Sequence, residues 1–105
     1  MNPPFQFTPQ AAEDLDAIWW FIAEHSREAA DRVEMEIVAT CRRLAKHPLM
    51  GIKRQDITPL PVRFWTLPKF PNCVVVYRPD TAPIQVVAVL HGKRDLKKAL
   101  EGRSL

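Results

Sequence analysis

Two apolar segments in the last third of the chain decide its fold: Asn72-Cys-Val-Val-Val-Tyr-Arg-Pro79 and Ile84-Gln-Val-Val-Ala-Val-Leu-His91, the second running directly into Gly92-Lys-Arg-Asp95. Each segment is rich in β-branched residues and is bounded by turn-forming residues, which is typical of a buried strand. The residues between them, Asp80-Thr-Ala-Pro83, have the composition of a turn. The sequence therefore predicts a β-hairpin that leads into a basic segment.

The turn over residues 80 to 83 also predicts the register of the hairpin. Arg78 then faces Gln85, and Asn72 faces His91. In this register both faces of the hairpin are largely apolar. The two helices predicted below can cover one of these faces. We expect the other apolar face to be an exposed partner site, unless the C-terminal helix folds back over it.

A helical hairpin is predicted upstream of these strands. Phe5-Gln-Phe7 alternates as a short strand, and Thr8-Pro9 is typical of a helix N-cap followed by proline at the first helical position. We place the first helix near residues 9 to 24. Ser26 offers a second cap, after which apolar residues recur every three or four positions until His47-Pro48 ends the run.

The remaining segments complete the order of elements. Residues 48 to 61 contain several prolines and a glycine and are predicted to form a loop, whereas Val62-Arg-Phe-Trp-Thr-Leu67 alternates as a strand. A short basic helix is expected near residues 94 to 101. The sequence thus predicts an α+β fold with the order β-α-α-β-β-β and a short C-terminal helix, and it places residues 1 to 105 in one domain.

Composition limits the class of protein. The chain has 105 residues, of which 47% are hydrophobic and 26% charged, as expected of a small folded domain. Cys41 and Cys73 lack metal-ligand spacing, so we expect reduced core residues, no metal site and no cofactor. Neither an apolar run of membrane-spanning length nor an N-terminal signal pattern occurs in the sequence. We expect a cytoplasmic protein without a membrane partner.

Charge is distributed unevenly along the chain. The formal net charge is +3, with acids concentrated between residues 10 and 36 and most Lys and Arg residues between 42 and 103. This pattern predicts one acidic and one basic flank. Direct binding of free DNA or RNA is not expected, because the basic residues are dispersed and no phosphate-binding loop or aromatic RNA platform motif is present.

A family resemblance extends over nearly the whole chain. It is carried by Phe7-Thr-Pro-Gln-Ala-Ala-Glu-Asp-Leu15, His47-Pro48, Gly51, Val62-Arg63, Val76-Tyr-Arg-Pro79 and Leu90-His-Gly-Lys-Arg-Asp95, in this order and spacing. The chain resembles the RelE/ParE family of bacterial toxins from type II toxin-antitoxin, or plasmid stabilisation, systems. The resemblance implies a helical hairpin packed on a curved antiparallel sheet. It also implies growth arrest, neutralised by a cognate antitoxin that wraps around the toxin.

The resemblance leaves two targets open. ParE-like members inhibit DNA gyrase and often end their last strand in a His-Gly-x-Arg-Asp-like run, which His91-Gly-Lys-Arg-Asp95 fits. Ribonuclease members cut mRNA on the ribosome, and His91 and Arg63 would be the catalytic candidates here, with Lys93 and Arg94 as alternatives to Arg63 for the cationic group. Arg78 lies six residues from the position opposite His91, or roughly 20 Å along the strand, too far to act on the same phosphate. We therefore favour the gyrase target over ribonuclease activity; an inactive relative that only binds an antitoxin is a third possibility.

Five further residues are candidates for contacts with the target or the antitoxin: Arg78, Tyr77, Trp65, Lys93 and Arg94. Each candidate also has an alternative role that is purely structural. Trp65 could pack in the core, Arg78 could end its strand in solvent, and Arg94 could form an ion pair with Asp95 that starts the C-terminal helix. His91 has a similar alternative, a hydrogen bond that holds the following turn. Trp19 and Trp20 are adjacent on a helix and cannot share a face, so an exposed Trp20 would suit a protein interface.

Overall fold

A computed structural model describes residues 3–92 and 95–103. Lys93 and Arg94, two of the candidate contact residues, lie outside this part of the chain. The elements are β1 (Phe5–Phe7), α1 (Pro9–Ala23), α2 (Arg27–Lys46), β2 (Arg63–Thr66), β3 (Cys73–Arg78), β4 (Ile84–His91) and α3 (Leu96–Leu100). Their order is the predicted one, and the fold class is α+β as predicted.

Local capping chemistry explains where the helices begin. The side-chain oxygens of Thr8, Ser26 and Asp95 each accept a hydrogen bond from the backbone N–H three residues further on. Each of these oxygens pairs one of the N–H groups that a helix leaves without an internal acceptor. The caps at Thr8 and Ser26 are those predicted from the sequence.

The sheet is mixed, which corrects the expectation of an antiparallel sheet. Its strand order is β1-β4-β3-β2, and the last three strands pair antiparallel. β1 instead runs parallel to β4, with Phe5 opposite Ile84. Parallel neighbours need a crossover connection, and the helical hairpin begins that connection directly after β1.

A β-bulge corrects the predicted register of the hairpin. Arg78 faces Gln85 as expected, but Val76 faces Ala88 because the register shifts at Val87. An extra residue in one strand turns every later side chain to the opposite face. Cys73, rather than Asn72, therefore faces His91.

The helical hairpin covers one face of the sheet. Its core includes the side chains of Val75, Tyr77 and Val86 together with Ile37 and Leu44 from α2. Both cysteines are buried in this core and unbridged, as predicted. Burial raises the pKa of the Cys41 thiol to about 12, because an apolar environment disfavours the thiolate.

The second face of the sheet is covered as well, so the expectation of an exposed apolar strip is wrong. Val76, Val87 and Ala88 are fully buried on this face. The alternative, that the C-terminal helix folds back, is confirmed by Leu100, which is 3% exposed and belongs to the same cluster. Further cover comes from partly buried neighbours on α3 and in the loop before β2: Ile57, Leu60, Leu96 and Ala99.

Within residues 3–92 and 95–103, no helix is both long enough and apolar enough to cross a membrane.

Candidate functional site

Tyr77 is a structural residue. Its side chain is fully buried, and its hydroxyl donates to the carbonyl of Pro48 at 2.6 Å and accepts from the N–H of Gly51 at 2.9 Å. Burial raises the pKa of Tyr77. This geometry replaces the predicted contact with target or antitoxin, because the phenol is enclosed and fastens the loop that follows α2.

Arg63 fastens the same loop. Its Nη1 donates to the carbonyl of Gly51 at 2.7 Å and lies 3.5 Å from that of Leu49. Its Nε is buried without a hydrogen-bond partner among the described residues. One side of the guanidinium therefore binds backbone carbonyls, which favours a role for Arg63 in holding the loop after α2 in position.

His91 and Arg63 lie far apart. Arg63 faces Tyr77 and His91 faces Cys73, so four residues of β3 separate their positions along the sheet. At the usual strand dimensions this is about 13 Å along the strands and about 9.5 Å across them, or roughly 16 Å between the two Cα atoms. The sheet therefore does not bring the two predicted catalytic groups around one phosphate.

Arg78 forms a local ion pair at the turn of the hairpin. Its Nε and Nη2 donate to the two carboxylate oxygens of Asp80 at 3.1 and 3.0 Å. The pair lowers the pKa of the Asp80 carboxyl and raises that of Arg78. Arg78 faces Gln85, which lies at the opposite end of β4 from His91. The register therefore keeps the side chains of Arg78 and His91 apart, as predicted.

Trp65 packs mainly into the core. Its ring is half-buried against the cluster under the helices, opposite Val75. The indole Nε1 is buried and, within the described part of the chain, has no hydrogen-bond acceptor. The sequence left two roles open for Trp65, packing and contact with the target. These contacts favour packing.

A groove lies where β4 extends beyond β1. β1 pairs only with residues Ile84–Val86, so the rest of β4 has no neighbouring strand on that side among residues 3–92 and 95–103. α1 runs beside this open edge and forms the other wall. The resulting cavity has a volume of about 410 Å³ and is lined by Asp14, Ala17, Ile18, Phe21, Val89, His91 and Gly92.

Sequence reasoning missed the ion pair that closes one end of this groove. Arg103 binds Asp14 through both guanidinium nitrogens, at 2.9 and 3.0 Å, and the two side chains are only 12% and 17% exposed. Asp14 also accepts from the N–H of Val89 at 3.0 Å. No local signal in the sequence links Asp14 with Arg103, because the two residues are 89 positions apart.

The same ion pair completes the hydrogen bonding at the bulge. Arg103 donates to the carbonyls of Val87 and Ala99, both at 3.3 Å, and the Thr8 hydroxyl lies 3.5 Å from the Val87 carbonyl. A bulge disrupts the regular ladder and leaves backbone groups to be paired by other means. Arg103 therefore ties the C-terminal segment both to α1 and to the irregular part of β4.

Aromatic side chains border the groove. Phe21 is 60% exposed, and its ring centroid lies 5.7 Å from that of His91. Trp20 is 62% exposed, whereas Trp19 is half-buried and donates from Nε1 to Asp31 at 2.9 Å. Trp20 is thus exposed as predicted, but the two indole rings are in contact edge to face, with centroids 5.0 Å apart. α1 therefore presents two adjacent exposed aromatic residues, Trp20 and Phe21.

Comparison with known proteins agrees with this architecture. The family model described as ParE toxin of type II toxin-antitoxin system, parDE, matches residues 5–96. A solved structure titled "Chromosomal ParDE TA system from P. aeruginosa" is similar over 85% of this chain and 95% of that chain, with 26% sequence identity and a TM-score of 0.69. No curated protein matches. Because the family model spans all four strands and both long helices, this chain belongs to the ParE toxin family of type II toxin-antitoxin systems.

Proposed function

We propose that this chain arrests growth from within the cytoplasm by inhibiting DNA gyrase, and that a cognate antitoxin binds and neutralises it. Membership of the ParE family supports an antitoxin partner. The choice of gyrase over mRNA rests on the separation of His91 and Arg63 across the sheet.

Cleavage of RNA requires several groups around one phosphate. A base must activate the 2′-hydroxyl, an acid must protonate the leaving oxygen, and cations must stabilise the developing charge. Arg63 is bonded to the loop carbonyls and Arg78 to Asp80, so neither guanidinium lies beside His91. An inhibitor of a large enzyme needs no such cluster, because its effect depends on binding through a surface.

The direct test uses purified components. The protein should inhibit supercoiling of relaxed plasmid by gyrase at micromolar concentration or below, and it should leave mRNA intact on translating ribosomes. A matched reaction with topoisomerase IV gives the selectivity. Cleavage of mRNA without any effect on supercoiling would refute the proposal and establish ribonuclease activity.

A cellular measurement separates the same two targets. After induction without antitoxin, incorporation of labelled thymidine should fall within minutes, before that of labelled methionine. Methionine incorporation falling first would contradict a gyrase target. Unchanged growth, with the protein present and folded, would mean that this chain is an inactive relative.

A further inference from the structure

We infer that the outward face of α2 binds a second copy of this chain, with the two α2 helices antiparallel about a two-fold axis. This inference goes beyond the proposed function, because self-association requires neither gyrase nor an antitoxin. Three observations carry it: an exposed apolar residue at the centre of the face, a depression beside that residue, and opposite charges at the two ends of the face.

Met35 lies at the centre of the outward face. Its side chain is 70% exposed, whereas Ile37 and Leu44, on the opposite side of the helix, are fully buried in the core. α2 therefore packs one side on the sheet and carries a large apolar side chain in the middle of the other. A single exposed apolar residue is common on protein surfaces, so its surroundings decide what it can do.

A depression of about 360 Å³ lies beside Met35. It lies between α2 and the segment that joins β2 to β3, and its lining residues are Arg32, Met35, Glu36, Ala39, Lys69 and Phe70. Ala39 is one helical turn from Met35 on the same face. The face thus combines a projecting apolar side chain with a space that can receive one, which is the requirement for pairing of two identical surfaces.

Charge divides the same face into two halves. Four exposed charged side chains lie within about 40° of Met35 around the helix. The acids are in the N-terminal half and the bases in the C-terminal half: Glu28 and Asp31, then Arg42 and Lys46. Asp31 also accepts from the Trp19 indole at 2.9 Å, a neutral donor that leaves the negative charge in place. An antiparallel second copy therefore meets charges of opposite sign at both ends, whereas a parallel copy would meet like charges.

One register satisfies the apolar and the charged contacts together. When Met35 lies opposite Ala39 of the second copy, Glu28 lies opposite Lys46, because both pairs are centred on position 37. The Met35 side chain then enters the depression of the second copy.

The border of the face is less favourable in this register. Arg32 lies opposite Arg42 there, about 60° around the helix from Met35. Glu36, four residues after Arg32, shares the depression with it and offsets part of this repulsion.

The size of the surface sets the expected affinity. α2 has 20 residues, which is about 30 Å of helix, and each copy contributes mainly this one helix. Contacts this small fall below the roughly 1,200–2,000 Å² buried in stable complexes. We therefore expect a weak dimer with a Kd of tens of micromolar.

Sedimentation equilibrium of the purified full chain tests the inference. The wild type should shift from monomer to dimer between about 1 and 500 µM. Met35→Lys should raise the Kd at least about 10-fold, as expected for loss of the central residue of an interface. Leu49→Lys is the matched control, because Leu49 is also 70% exposed but lies in the loop after α2, and it should change the Kd by less than about 2-fold. Both positions are exposed, and thermal unfolding checks that each variant remains folded.

A charge exchange tests the antiparallel register. Glu28→Lys and Lys46→Glu should each weaken self-association by about 3-fold or more. An equimolar mixture of the two variants should associate at least as tightly as the wild type, because opposite charges then face each other at both ends. Glu13→Lys on α1 makes the same change in net charge as Glu28→Lys away from this face, and it should have little effect.

Three results would overturn the inference. The first is a wild-type chain that stays monomeric over the whole concentration range, which would leave this face to a different partner. The second is equal weakening by Met35→Lys and Leu49→Lys, which would place self-association elsewhere on the molecule. The third is a mixture of the two charge variants that associates no better than each variant alone, which would exclude the antiparallel register.

Discussion

The two edges of the sheet are held in different ways. At the β2 edge, Phe64 and Ile52 exchange backbone hydrogen bonds of 2.8 and 2.9 Å, and the fully buried Tyr77 hydroxyl fixes the adjoining loop. At the β4 edge, the bonds beyond β1 come from the side chains of Asp14 and Arg103. The β2 edge is closed mainly by backbone groups and the Tyr77 hydroxyl, with the Arg63 guanidinium on the Gly51 carbonyl, whereas the β4 edge is closed by the side chains of a largely buried ion pair.

This difference indicates where the protein can accept a partner. Closing the β2 edge buries backbone groups that would be costly to expose, because unpaired buried donors and acceptors destabilise the fold. The β4 edge keeps a groove beside α1 with exposed aromatic residues and acids along it. A partner can reach that groove without unfolding any element, whereas a partner at the β2 edge would have to displace buried hydrogen bonds.

The largest expected effect comes from crowding the β2 edge. A Cβ atom on Gly51 would lie 2.7 Å from the Tyr77 hydroxyl and 3.0 Å from the Phe64 carbonyl, both held in place by the core. Gly51→Val should therefore lower the free energy of unfolding by about 3 kcal/mol, with Gly51→Ala intermediate. Urea unfolding measures this, and Lys53→Val in the same loop, where the side chain is exposed, should cost far less.

The next effect tests the β4 edge. Arg103→Met keeps most of the apolar stem but removes the charge that Asp14 binds, and we expect a loss of about 2 kcal/mol, because a largely buried carboxylate is left without its partner. Arg43→Met is the matched control, since Arg43 is 49% exposed and lies 3.4 Å from Glu36. Exposed pairs contribute little. An equal loss in both variants would contradict the distinction between the edges.

A double-mutant cycle sharpens this result. Asp14→Asn retains an acceptor for the Val89 N–H but loses the charge, so its effect should be non-additive with that of Arg103→Met. A coupling of about 1 kcal/mol or more would establish that the two side chains act as a unit. Additive effects would mean that Arg103 stabilises the chain mainly through the carbonyls of Val87 and Ala99.

A smaller effect is expected from the Tyr77 hydroxyl. Tyr77→Phe keeps the ring in the core but leaves the Gly51 N–H and the Pro48 carbonyl without this partner. We expect a loss of about 1.5 kcal/mol in urea unfolding, consistent with buried hydrogen-bonding groups left unpaired. A variant as stable as the wild type would show that the loop is held by Arg63 and the Ile52 bridge alone.

The sequence predicted best what is decided locally. Thr8 and Ser26 cap helices through groups three residues away, and the strand segments are apparent from their own composition. The sequence did not predict the bulge at Val87, because counting outward from a turn assumes a regular ladder of paired residues. The irregular backbone at the bulge is hydrogen-bonded by a tertiary contact, the pair of Asp14 and Arg103. The parallel pairing of β1 with β4 likewise depends on tertiary structure, because the path of the two helices after β1 determines which strand lies beside it.

The candidate site was harder to predict for the same reason. Tyr77 and Arg63 have the residue types of functional side chains, yet both are used to hold the loop after α2. The distinction depends on the position of Gly51, which is 26 residues from Tyr77 in sequence. Asp14 and Phe21, by contrast, read as ordinary positions on an amphipathic helix, and only the open edge of β4 beside them makes a groove.

The smallest effect is expected at Arg78, which makes it a sensitive reporter of function. Its partner Asp80 has a pKa below the usual 3.8, so any stability from the pair is present at neutral pH and is lost as the pH falls below about that value. The pair is exposed to solvent and close in sequence, so Arg78→Gln should leave the melting temperature at pH 7 essentially unchanged. Because folding is then unaffected, weaker gyrase inhibition or antitoxin binding by Arg78→Gln would identify a direct contact at the turn of the hairpin. Unchanged activity and binding would exclude the turn of the hairpin from the functional surface.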